Sequence, residues 1–211
     1  MQKCSRNRAF LRLYKTYFTM MKKLLLLTLL VITLVSCQKK NENDVDQPLI
    51  DETLKSLKKG ETKILFELDG KPFYQEDHIF KGDVTLFDNL FRFSLFDQYE
   101  SNVIVAISTN GWYQKKPISK QIIQNDQKTA TVMIGKLIDK ENNIGEGYLM
   151  TEGKIDFISL NKSKTILKIT GLVGKYNAQR MPDKWQKLEG YIIQKEPNII
   201  LTNLEENQVF Y

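Results

Sequence analysis

The chain has 211 residues, with 31 basic and 25 acidic side chains and a formal charge of +6. Residues 1–36 hold seven of the basic residues and no acidic one, so residues 37–211 carry 24 basic and 25 acidic side chains, a net charge of −1. A body so balanced offers no basic face to release counterions from phosphates, which argues against nucleic-acid binding. The two cysteines are Cys4 and Cys37. From residue 38 on the chain therefore has no disulfide, no cysteine zinc site and no thiol nucleophile, and packing alone must hold the fold.

In chain order, Lys22-Lys23 precedes an apolar run from Leu24 to Val35 broken only by Thr28 and Thr33. The run is shorter than the about 20 residues that span a bilayer, and it has the length and positive flank of a secretory signal. It closes with Leu34-Val35-Ser36-Cys37. This stretch resembles the lipobox of bacterial lipoproteins. The resemblance implies cleavage between Ser36 and Cys37, a diacylglyceryl group on the Cys37 sulfur, and acylation of the new N-terminus. It also implies attachment to the bacterial outer membrane, facing either the periplasm or the cell surface. Several acyl chains meet the condition for stable anchoring, since one chain holds only reversibly. Residues 1–36 are thus a leader, and Met20 or Met21 gives a signal of ordinary length, so translation is expected to start there.

Residues 37–60 form the next section. Gln38–Asp51 is polar and charged, a flexible tether that cannot bury enough apolar surface to fold. Lys39-Lys40 followed by Glu42, Asp44 and Asp46 is similar to the export tract of surface lipoproteins in Bacteroidota; an ordinary solvated tether is the other reading. Pro48–Gly60, with Leu49, Ile50, Leu54 and Leu57, predicts a short helix.

Residues 61–211 are expected to form one β-rich domain. Thr62–Leu68 alternates, and Asp69-Gly70 is a hairpin turn. Val84–Phe87 and Leu90–Phe96 flank a second turn pair, Asp88-Asn89. Asn102–Ser108 is rich in β-branched residues and predicts a strand buried on both faces. Lys128–Lys136, Gly147–Thr151, Lys154–Leu160, Thr165–Leu172 and Leu188–Lys195 complete the strands. The spacing predicts an all-β fold, an antiparallel sandwich or barrel of about 8–10 strands, with Ser119–Lys128 and Asn177–Lys187 as long irregular segments. Ile64–Phe73 also resembles the first hairpin of small β-rich Bacteroidota lipoproteins, a resemblance that speaks to fold and location.

Chemistry is sparse. His78, the single histidine, lies in Glu76-Asp77-His78, but neighbours on an extended segment point opposite ways and do not converge on a metal. No nucleophile elbow or phosphate loop occurs. Asp139, Glu141 and Asn143 alternate as in a calcium loop, yet Ile144 stands where the turn glycine belongs. No catalytic residue, metal ligand or cofactor is therefore expected. Two aromatic spots remain as binding candidates: Trp112-Tyr113, read as a strand-end plug or a stacking surface, and Trp185 with Arg180 nearby. The expected function is a membrane-anchored, non-enzymatic binding module for a protein or glycan. The alternatives are a small-ligand carrier barrel and an inhibitor or immunity-type protein acting by surface contact.

Overall fold

The computed structural model describes residues 45–124 and 129–211. The leader, Ser36, Cys37 and most of the tether lie outside the described residues. The chain enters as helix α1 (Gln47–Ser56) and then forms β1 (Glu61–Leu68), β2 (Lys71–Pro72), β3 (Phe80–Phe87), β4 (Leu90–Asp97) and β5 (Asn102–Ile107). It continues through β6 (Ser119–Ile122), β7 (Ala130–Asp139), β8 (Ile144–Leu160) and β9 (Lys164–Lys175). It ends with β10 (Gln186–Lys195), β11 (Asn198–Leu201) and a final turn of helix, α2 (Glu206–Val209).

Eight strands close on themselves as β1-β3-β4-β5-β7-β8-β9-β10, an antiparallel barrel in which chain neighbours are sheet neighbours, with β2, β6 and β11 added. Of the sandwich and barrel anticipated from the spacing, the barrel is the one formed. Closure is narrow: β1 and β3 share only Glu61↔Lys81 and Thr62↔Phe80. Beyond that overlap β11, continuing from β10, runs parallel to β3 from Asn198↔Asp83 to Leu201↔Leu86 and takes the place of β1.

Period-two alternation builds the core. Phe66, Phe80, Phe91, Phe93, Leu95 and Met150 are among the inward residues and are 2% exposed or less. An eight-stranded barrel is just wide enough for such side chains to fill it. Each large apolar side chain buried contributes roughly 1.5–3 kcal/mol. A second cluster lies outside the barrel, where Ile50 and Leu57 of the α1 region cover Ile166, Tyr191 and Ile193. Ile50 and Leu57, with Leu54 partly buried beside them, are thus explained by packing onto the sheet, while Leu49 is exposed.

The predicted hairpin turn is present, with Asp69 at φ 50° and Gly70 at φ 74°. Three expectations change. The β5 strand is not buried on both faces: Val103, Val105 and Ile107 are buried while Ile104 and Ala106 are half-buried, so its outer face meets solvent. The expected strands Gly147–Thr151 and Lys154–Leu160 are one continuous strand, β8. Gly153 sits opposite Gly171 on β9, and a Cβ at Gly153 would come within 2.4 Å of the Thr170 carbonyl oxygen. The glycine pair marks close strand approach inside a long bulged strand, not a break. Ser119–Ile122, expected as loop, pairs with β8 as β6; residues 125–128 are not described.

An even number of up-and-down strands puts their connections alternately at two mouths. Residues 69–79, 98–101, 140–143 and 176–185 ring one of them, here the loop mouth. The chain enters β1 and leaves β10 at the other, the terminal mouth.

Candidate functional site

Both mouths are closed by aromatic side chains. At the loop mouth, Phe73 and Tyr74 turn in from the segment after β2. The Phe73 ring lies 4.7 Å from Tyr74 and 5.7 Å from Tyr148, and Tyr74 lies 4.9 Å from Phe80. The Tyr74 hydroxyl donates to the Asn102 carbonyl at 2.9 Å, and burial holds its pKa well above the usual tyrosine range. Lys136 donates to the Phe73 carbonyl at 2.9 Å and sits 4.5 Å from the centre of its ring. Glu146 takes an ion pair from Lys136 at 3.3 Å and a hydrogen bond from the Tyr148 hydroxyl at 3.2 Å. Burial, helped by the Glu146 charge, pushes the Tyr148 hydroxyl up to about 12.

His78 stands on the same lid. Its Nδ1 is 2.5 Å from Asp97 Oδ2, and the Asp97 side chain is fully buried. The other carboxylate oxygen, Oδ1, accepts from the backbone N–H groups of Ser101 at 2.7 Å and Tyr99 at 2.9 Å. The rings of His78 and Tyr99 are 4.7 Å apart. The Tyr99 hydroxyl donates to Asp77 at 2.5 Å. That bond lowers the Asp77 pKa and raises that of Tyr99. Gln98 donates to the Asp77 carbonyl at 2.8 Å, and Lys63 donates to the Glu76 carbonyl. The Asp–His arrangement is the one that orients an imidazole in triads and metal sites. Among the described residues no nucleophile is hydrogen-bonded to it. Ser101 Oγ is buried and has no protein hydrogen-bond partner, His78 included. No group of three His, Cys, Asp or Glu residues able to hold a metal occurs among the described residues. The pair therefore clamps the lid segment 73–79 against β4. His78 was visible in the sequence; Asp97, nineteen residues away, carried no signal that it would be the partner.

The β9–β10 connection, also at the loop mouth, places the other candidates. Trp185 is half-buried: its Nε1 donates to the Gln179 carbonyl at 3.2 Å, and its ring lies against Gly174. Arg180 is exposed, as is Lys184, and neither side chain has a partner among the described residues. Beside them is a depression of about 400 Å³ lined by Lys175, Asn177, Ala178, Met181, Lys184 and Gln186. Tyr176 and Met181 are exposed. Only part of the Trp185 ring thus remains for a ligand, and the loop offers cations, amides and apolar surface around it.

The first aromatic pair lies at the terminal mouth. Trp112 Nε1 donates to the Phe87 carbonyl at 2.9 Å, and the ring packs 5.4 Å from Phe91 and 6.0 Å from Phe157. The Tyr113 hydroxyl donates to Asp88 at 2.7 Å, which raises its pKa. Both residues are 8% exposed, so they form the plug. Tyr211 completes it, donating through its hydroxyl to the Phe157 carbonyl and accepting from the Ile118 N–H, both at 3.0 Å. Asp139, from the calcium-loop pattern, accepts from the Asn142 N–H and side chain and organises the β7–β8 turn.

Comparison of the chain with protein-family models, with curated proteins and with solved structures finds no match in any of the three.

Proposed function

We propose that the protein is a bacterial lipoprotein, held at the outer membrane by lipid on Cys37, whose barrel is a non-enzymatic interaction module. In this reading it engages a protein or glycan through the loop mouth. One observation carries the choice of surface. Phe96, Tyr99, Ile138, Ile144, Tyr176 and Met181 are large apolar side chains exposed by 42–62%, and all lie in or beside the loop-mouth connections. Exposed apolar side chains gathered in one region mark interaction surfaces. Arg180 and Lys184, which have no side-chain partner among the described residues, add charges that a partner can satisfy. The apolar side chains that point into the barrel and the aromatic plugs at its mouths support contact by the outer surface over carriage of a small molecule inside. No helix among the described residues is long and apolar enough to cross a membrane.

The test uses the full chain in cells, with a photo-crosslinking amino acid replacing Tyr176 or Ile144 at the loop mouth, or Ile123 at the terminal mouth. Discrete adducts are expected from the first two positions and not from the third. Adducts from Ile123 alone, or none from the loop mouth when the protein is correctly localised, overturn the assignment.

A further inference from the structure

We propose that the barrel floor, at the terminal mouth, holds one buried water molecule bound by Thr62, Gln194 and Thr165. These three polar residues are fully buried beside an otherwise apolar core. Register makes them one row: Thr62 pairs with Gln194 across β1 and β10, and Gln194 pairs with Thr165 across β10 and β9. Side chains directly opposite in an antiparallel pair have Cβ atoms about 4.5–5.5 Å apart, so Gln194 is within reach of each threonine; the two threonines flank it on the concave inner face of the wall, where inward side chains converge.

Three oxygens in this row have no hydrogen-bond partner among the described residues: Thr62 Oγ1, Thr165 Oγ1 and Gln194 Oε1. Buried polar atoms left without a partner are strongly disfavoured and rare in folded proteins. The orientation of the Gln194 amide is fixed, because its Nε2 donates to the Gly82 carbonyl at 2.9 Å and reaches the Gly60 carbonyl at 3.4 Å. Its Oε1 must therefore be satisfied from another direction.

The three orphans match what one water can do. Water can donate to Gln194 Oε1 and to one threonine hydroxyl while accepting from the other. Buried waters make about three such bonds. The donor set does not suit a hard divalent cation, which takes six or more oxygens and usually carboxylates. The place has a structural reason. Here β1 and β3 overlap by only two residue pairs and the ladder passes to β11. Gln194 already crosses the seam to β3, and a water fixing its carbonyl holds that link.

The experiment uses the full chain in detergent micelles. Thr62→Val and Thr165→Val keep side-chain volume and remove the hydroxyl. Each is expected to lower the folded-to-unfolded ratio about tenfold. The double variant should cost well under the sum, because both hydroxyls serve the same water. In the unsubstituted protein, a nuclear Overhauser effect from a long-lived water to the Thr62 and Thr165 methyl protons is expected, and it should vanish for the methyls left in each single variant. Valine variants as stable as the parent would show that the hydroxyls bind nothing. Destabilisation without the water signal would assign direct threonine–glutamine bonds. Stabilisation by sodium or potassium chloride over choline chloride at equal ionic strength would assign a cation. Any of these three results overturns the proposal.

Discussion

The sharpest local prediction concerns Asp97, the group that clamps the lid. Replacing it with alanine removes three hydrogen bonds from a fully buried carboxylate: one to His78 at 2.5 Å, one to Ser101 N at 2.7 Å and one to Tyr99 N at 2.9 Å. The Tyr99 N–H is solvent-exposed and rehydrates, so its loss costs about 0.5 kcal/mol. The Ser101 N–H and the His78 ring are partly buried, and each bond to the charged group is worth about 1.5 kcal/mol. Asp97→Ala should therefore destabilise the fold by about 3–4 kcal/mol. Asp97→Asn is the control that separates geometry from charge. It keeps an oxygen for both backbone donors, and its Nδ2 can donate to His78 Nδ1 once the ring proton sits on Nε2. That variant should lose about 1 kcal/mol. Urea unfolding at pH 7 measures both. With a slope of about 2 kcal/mol per molar urea, the midpoint should fall by about 1.5–2 M for alanine and about 0.5 M for asparagine. Amide exchange in residues 73–79 should accelerate in the alanine variant before global unfolding does. An alanine variant within 1 kcal/mol of the parent, or an asparagine variant equally damaged, would refute the clamp.

Two further outcomes follow from the barrel wall and its plug. A Cβ at Gly190, whose φ is 145°, would lie 1.8 Å from the Leu65 carbonyl oxygen on the neighbouring strand. Gly190→Ala should thus cost more than about 2 kcal/mol or abolish soluble expression, while Gly60→Ala, with open space around its Cβ and only the strain of its φ of 75°, should lose about 1 kcal/mol and still fold; equal stability of the two variants in thermal melts would contradict the close β1–β10 approach. At alkaline pH, Tyr148 is raised to about 12 and Tyr74 is raised further, above an unfolded value near 10. The unfolded state then loses its protons first, so stability is intact below pH 10 and falls as pH climbs from about 10 towards 12. Urea midpoints at pH 7 and pH 11 should differ less in Tyr148→Phe than in the parent, and an unchanged difference would count against the burial of the Tyr148 hydroxyl beside Glu146.

Much of the barrel was legible because alternation and turn chemistry are local. Phe91, Phe93 and Leu95 share a face in the sequence and line the interior in the structure. Asp69-Gly70 reads as a tight turn because the chain needs two successive positive φ values there. What alternation could not distinguish was sandwich from barrel, since both bury one face of every strand; the difference lies in whether Thr62 meets Phe80, a pairing no local pattern encodes. The β6 and β11 strands escaped notice because four residues are too few to show a period. Gly153 reads as punctuation inside β8 until Gly171 is placed across from it. The site was less legible than the fold for the same reason. His78 is conspicuous as the one histidine, but its meaning comes from Asp97 at the far end of a hairpin. Trp112 and Trp185 are alike as letters, and only burial separates a plug from a half-exposed ring.

The arrangement of the barrel also constrains which surface is available for function. Phenylalanines, leucines and a methionine point into the space its eight strands enclose, and rings from two loops close the ends. Opening that interior for a ligand would expose Phe73 and Tyr74 and break the Tyr74–Asn102 and Lys136–Phe73 bonds together. Four loops with exposed Tyr176, Ile144 and Tyr99 require no such rearrangement to meet another molecule. A rigid wall then serves to hold those loops in register, and the clamp of His78 on Asp97 fixes the lid on which their neighbours rest. Under the proposed binding role, selection would act on the 98–101, 140–143 and 176–185 connections. The inward faces of β3, β4 and β5 would answer only to packing.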